Sequence, residues 1–158
     1  MPIRVVATFP APGSSLRADA ETGSGFRVTV DSADSTPPAG LSPRETVLVG
    51  LAGCTGMDVV AILAKKRQAP SSYQVEVEAE TAARPPQVFT RIVIEHEVSG
   101  VVESKALHRA IELSATRYCP VSAMLSRSAT LEHRYRLRQA GQPDREELVV
   151  ITGPDRSR

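Results

Sequence analysis

Tryptophan is absent from this sequence and aromatic residues make up only 4% of it, so any binding pocket is expected to be small and aliphatic-walled. Neither sign of charge is in excess: 19 Lys and Arg stand against 18 Asp and Glu, a net charge of +1. That balance removes the bulk electrostatic case for DNA, RNA or an anionic membrane as partner. Unbroken apolar runs such as Val59–Ala64 fall far short of a membrane span, which takes ~20 residues. The opening MPIRVVATFP lacks the charged end, long apolar stretch and cleavage site of a secretory signal. A cytoplasmic protein is expected. Cysteine is scarce too, with 2 residues. In a reducing compartment such cysteines are more often reactive, metal-binding or inert than a structural bridge.

Several chemical signatures are also missing. There is no CxxC, HxxxH or HxxE spacing, so a zinc site would have to combine Cys54 and Cys119 with some of His96, His108 and His133. The Gly53–Cys54–Thr55–Gly56 segment is not a GxSxG nucleophile elbow, and no GxGxxG or GK[ST] phosphate loop is present. No metal or cofactor is expected. His96 and His133 alternate with apolar neighbours on strands and read as core or interface residues, while His108 lies beside Arg109 on a helix surface.

What is there amounts to one globular domain, 41% hydrophobic and 23% charged, without repeats or a dividing linker. We place the domain at residues 1–152 and read 153–158 as a disordered tail. Residues 1–31 read as a β-meander with strands at 3–8, 15–18 and 26–31, turning at 11–13 and 22–25. Ser42–Pro43–Arg44–Glu45 is a capping box that opens the longest helix, running to about Gln68 before Ala69–Pro70. Strict alternation over 73–80 predicts a half-buried strand, paired through the Pro85–Pro86 turn with a longer one over 88–98. A helix over 103–117, a short helix over 121–126, a strand over 130–137 and an edge strand over 147–151 follow.

Gly50, Gly53 and Gly56 recur around Cys54 inside the long helix, although glycine costs about 0.8–1.0 kcal/mol per site there relative to Ala. Small residues at this spacing allow close helix contact, and they also leave room for a substrate beside Cys54. In mid-helix Cys54 gains nothing from an N-terminal dipole and burial raises its pKa, so reactivity needs a nearby cation such as arginine. Otherwise it is a small core residue. Cys119, ahead of Pro120, reads as a helix cap, where exposed amides favour a thiolate; it equally fits a cap that happens to be cysteine. Together the two permit a cycle in which one thiolate becomes a sulfenic acid and the other condenses with it as a disulfide.

Two motifs carry a resemblance. Ser42–Pro43–Arg44–Glu45, Leu51–Ala52–Gly53–Cys54–Thr55 and Asp58–Val59, then Arg109–Ala110–Ile111, Ser114 and Tyr118–Cys119–Pro120–Val121, resemble the OsmC/Ohr superfamily over about residues 42–137. The resemblance implies an α+β fold, an intertwined homodimer with long central helices wrapped by antiparallel or mixed sheets. It also implies thiol-dependent reduction of organic or inorganic hydroperoxides, with Cys54 peroxidatic and Cys119 resolving, regenerated by a dithiol such as a lipoylated protein. The family's essential arginine comes from the N-terminal strands, where Arg27 ranks ahead of Arg17. In the hydroperoxide-resistance branch a glutamate that orients this arginine directly follows the motif proline. Here that place is Arg44 and the acid is Glu45, so the chain resembles a less-characterised OsmC-like branch. On an ideal helix Glu45 stands about 13–14 Å along the axis from Cys54 and on the opposite side. It must act through a partner subunit or a bridging arginine. A second expectation is a non-enzymatic dimeric thiol sensor, or a binding protein for a small apolar or electrophilic ligand; a third leaves both cysteines as packing residues.

Overall fold

The structure, a computed structural model, describes residues 2–10 and 15–154. It forms two compact units, Met1–Val49 and Gly50–Arg158.

The first unit is an antiparallel meander of β1 (Val5–Thr8), β2 (Ala18–Thr22) and β3 (Arg27–Val30), in that order. β2 begins where the sequence led us to expect its end. Its buried positions are Ala18 and Ala20, residues of low strand propensity that leave little apolar pattern to read. The expected turn over 22–25 is present, with Thr22 donating its amide to the Phe26 carbonyl at 2.9 Å. The turn expected at 11–13 lies outside the described residues. Beyond β3, the buried Asp31 carboxylate accepts from Ala39 N, Ser35 Oγ and Ser32 N, which holds its pKa below the usual carboxylate value. Those bonds pin the loop that leads to Ser42.

The capping box forms as read. Glu45 N donates to Ser42 Oγ at 3.3 Å, and Ser42 N donates to Glu45 Oε2 at 2.7 Å. Helix α1 (Pro43–Lys65) starts there. Its 23 residues include a stretch of mean hydropathy 2.1, long and apolar enough to cross a membrane. No unbroken apolar run of that length stands in the sequence because Gly53, Thr55, Gly56 and Asp58 punctuate it. Its second half is nevertheless built into a protein core: Val59 and Leu63 pack in one cluster with Leu107, Ala110, Ile111, Tyr135 and Leu137.

The second unit carries a four-stranded mixed sheet of β4 (Ser72–Thr81), β5 (Phe89–Ser99), β6 (Thr130–Arg138) and β7 (Arg145–Thr152), side by side in chain order. β4 and β5 form the expected hairpin, β5 and β6 run parallel, and β7 closes the edge antiparallel to β6. Period-2 alternation sends Ile92, Ile94, His96 and Val98 of β5, with Leu131, His133, Tyr135 and Leu137 of β6, to the buried face. The other face is a charged lattice in which Arg91 grips Glu132 at 2.7 and 2.9 Å and Arg136 reaches Glu95, Glu97 and Glu146. The parallel crossover runs through α2 (Ser104–Leu113), a π-helical turn (Ser114–Tyr118) and α3 (Pro120–Leu125). The sequence predicts one α-helix over 103–117. The structure instead widens its last turn, with Cys119 N donating to Ser114 O at 2.9 Å. Of the expected tail, Gly153 is buried, at a φ of 121° where an added Cβ would strike the Ala129 carbonyl.

Candidate functional site

Cys54 and Asp58 are four residues apart on α1, so they project from the same helix face. Cys119 approaches that face from the crossover. It caps α3, its sulfur accepting from Ser122 N at 3.3 Å, as its place before Pro120 predicts. The Sγ atoms of Cys54 and Cys119 and a carboxylate oxygen of Asp58 all lie within 4.8 Å of one another. Both thiols are free.

The π turn makes this meeting possible. Spacing Ser114 and Cys119 by an i+5 hydrogen bond presents both to α1, and π turns of this kind often mark functional sites. Ser114 is fully buried and donates from Oγ to Asp58 Oδ2 at 3.0 Å. A hydroxyl has one proton to give, so Thr55 Oγ1, 3.0 Å from Ser114 Oγ, is the donor in that contact. Thr55 to Ser114 to Asp58 is therefore a directed chain of hydrogen bonds that orients the carboxylate beside the sulfurs. Asp58 stands in the motif but has no role in the sequence reading. Its i+4 spacing from Cys54 was the signal available.

Burial, the hydrogen bond with Cys119 and the proximity of Cys119 and Asp58 push the Cys54 thiol up to about 11; an amide bond from Val121 only partly offsets them. Among the described residues, the groups that shift it include no cation of the kind that reactivity requires.

Arg27, Arg17 and Glu45 belong to the first unit. Arg27 Nε donates to Glu21 Oε2 at 2.9 Å and lines a cleft of about 660 Å³ on the meander, Arg17 pairs with Asp19 at 3.2 Å, and Glu45 is engaged in the helix cap. The histidines stand where strand alternation puts them. His96 and His133 are fully buried and stacked, with ring centroids 6.2 Å apart, and His96 Nδ1 shares a 2.7 Å hydrogen bond with Tyr73 Oη. His108 pairs instead with Glu147 at 2.7 Å, tying α2 to β7.

The model of the OsmC-like protein family matches residues 31–134, which includes both cysteines and the π turn between α2 and α3. The chain belongs to this family. Protein YhfA of Escherichia coli K12 is 36% identical over 118 residues, 73% of this chain and 85% of that protein. A hypothetical protein of Aquifex aeolicus superimposes with a TM-score of 0.78 at 28% identity, over 88% of this chain and 98% of that one. The organic hydroperoxide resistance protein OhrB of Bacillus subtilis shares the fold at a TM-score of 0.59 and 12% identity, over 87% of this chain and 98% of its own. This OsmC-like chain thus has the α+β architecture expected of it.

Proposed function

We propose that this OsmC-like protein is a cytoplasmic thiol peroxidase that reduces organic hydroperoxides as a homodimer. The observation that carries the reading is the placement of two free thiols, 65 residues apart in sequence, within one site no wider than 4.8 Å. The Cys54 thiolate attacks the terminal peroxide oxygen, the O–O bond breaks, and the departing alkoxide takes up a proton to leave as an alcohol. The Cys54 sulfenic acid then condenses with the Cys119 thiol, forming the disulfide and releasing water. A dithiol such as a lipoylated protein restores both thiols. Arg27, steered by Glu45, supplies the positive charge that lowers the Cys54 pKa and stabilises the leaving oxygen. Dimerisation is supported by a face of α1 that no described residue covers: Gly50 and Gly53 have open space above them, and Met57 and Val60 are exposed beside them.

The high pKa of Cys54 favours one alternative, a dimeric thiol sensor or small-ligand binder that uses the same residues without turnover. The test is one equivalent of cumene hydroperoxide added to the reduced protein, followed by thiol blocking and mass analysis. Stoichiometric Cys54–Cys119 disulfide, absent in Cys54→Ser, is expected. Two free thiols would move the reading to the sensor.

A further inference from the structure

The site holds one more capacity, which follows from its donor set rather than from peroxide chemistry. We propose that Cys54, Asp58 and Cys119 form a binding site for a thiophilic divalent cation of the zinc type, with the fourth position open.

Two sulfurs and one carboxylate oxygen suit zinc and disfavour magnesium or calcium, which prefer sites made wholly of oxygen. The spacing suits it too. Tetrahedral bonds of about 2.3 Å to sulfur and 2.0–2.2 Å to oxygen set donor atoms roughly 3.5–3.8 Å apart. These three already lie within 4.8 Å of one another, so closing on a cation needs side-chain movement of about 1 Å or less at each donor. Cys54 and Asp58 are held in register by one turn of α1, and Cys119 is fixed at the head of α3.

The surroundings are those of a metal ligand set. Ser114 occupies Asp58 Oδ2 and is itself held by Thr55, an outer layer that orients the carboxylate. Backbone amides support both sulfurs, Ser122 N on Cys119 and Val121 N on Cys54. Among the described residues, the side chains that shift the Cys54 thiol are Cys119 and Asp58, neither of them a base. Three protein ligands match the pattern of zinc sites that keep an open position, where water or a substrate atom coordinates. A Cys54–Cys119 disulfide would remove two of the three ligands, so the cation and the disulfide exclude each other.

The test titrates Co²⁺ into the reduced full-length protein without oxygen. Near-ultraviolet sulfur-to-cobalt bands, strong visible bands of tetrahedral cobalt, saturation at one ion per chain and displacement by Zn²⁺ are expected. Cys54→Ser and Cys119→Ser should each halve the sulfur bands, and Asp58→Asn should keep them while weakening affinity at least about tenfold. Circular dichroism checks the fold of each variant. Should a cysteine variant fail to fold, protection of both wild-type thiols from alkylation by one equivalent of Zn²⁺ decides instead. Absence of sulfur bands at millimolar Co²⁺, sulfur bands left at full intensity in both cysteine variants, or unchanged affinity in Asp58→Asn would overturn the site. Peroxide turnover is not a readout, so this outcome is independent of the peroxidase reading.

Discussion

Ser114 Oγ donates to Asp58 Oδ2 at 3.0 Å, and through that bond the π turn is fastened to the helix that carries Cys54. Ser114→Ala leaves Asp58 and Thr55 facing a buried gap. Stranding buried polar groups costs about 1–3 kcal/mol, so the midpoint of thermal unfolding should fall by several degrees. Thr55→Val in the same background should add little further loss, because the contact it removes has already gone. Fully additive losses in denaturant titrations would mean the three groups do not act as a chain.

Arg27 is the cation of the peroxidase reading, and the Cys54 thiol reports on it. With only its own chain's neighbours, Cys54 is pushed up to about 11. In Arg27→Ala, its alkylation rate should therefore climb about tenfold per pH unit from pH 7 to 9, following the thiolate fraction. The unsubstituted protein should level off at lower pH. Coincident curves would remove Arg27 from the site.

His96 and His133 make the fold acid-sensitive. Burial holds both neutral, to about 3 for His96, with His133 adding to the effect, and to about 4 for His133. An unfolded histidine titrates near 6.5. Below that pH the unfolded chain takes up protons that the folded chain refuses, so stability should fall as pH drops from about 6.5 to 5. The slope approaches about 1.4 kcal/mol per pH unit for each histidine. Among the described residues, neither ring nitrogen of His133 has a hydrogen-bond partner. His133→Leu should thus cost little at pH 7 and roughly halve the slope; an unchanged slope in urea titrations would assign acid sensitivity elsewhere.

The glycine row divides into two roles. A Cβ on Gly56 would meet Val75 Cγ2 at 3.3 Å, and Tyr73 lies just beyond, so Gly56 lets α1 settle on β4. Among the described residues, nothing lies within 4 Å of a Cβ at Gly50 or Gly53. Gly56→Leu should destabilise the fold by about 1–3 kcal/mol through overpacking. Gly53→Leu should leave circular dichroism intact and yield a monomer in sedimentation if this face meets a second copy. A stable dimer in Gly53→Leu would place the interface elsewhere.

Local rules explain most of what was legible. Alternation set the half-buried face of β4 and the buried residues of β5 and β6 because side chains on a strand have a period of two, and the capping box announced α1 because its hydrogen bonds are local. Where buried positions are alanines, as in β2, the pattern faded and the strand was misplaced. The π turn was hidden for a different reason: residues 103–117 have ordinary helix periodicity, and the widening is stabilised by a bond from Ser114 to a residue 56 positions away.

Local residue chemistry was enough for α1, the strands β4 to β6, the two cysteines of interest and the cap at Cys119, since each depends on neighbours within one or two turns. That Cys54, Asp58 and Cys119 share a site, that Thr55 and Ser114 orient the carboxylate, and that Gly56 and Gly53 serve different ends came from long-range packing. Those are contacts between α1, the crossover and the sheet, whose long-range pairings are set by packing the whole core, and no sequence spacing encodes them.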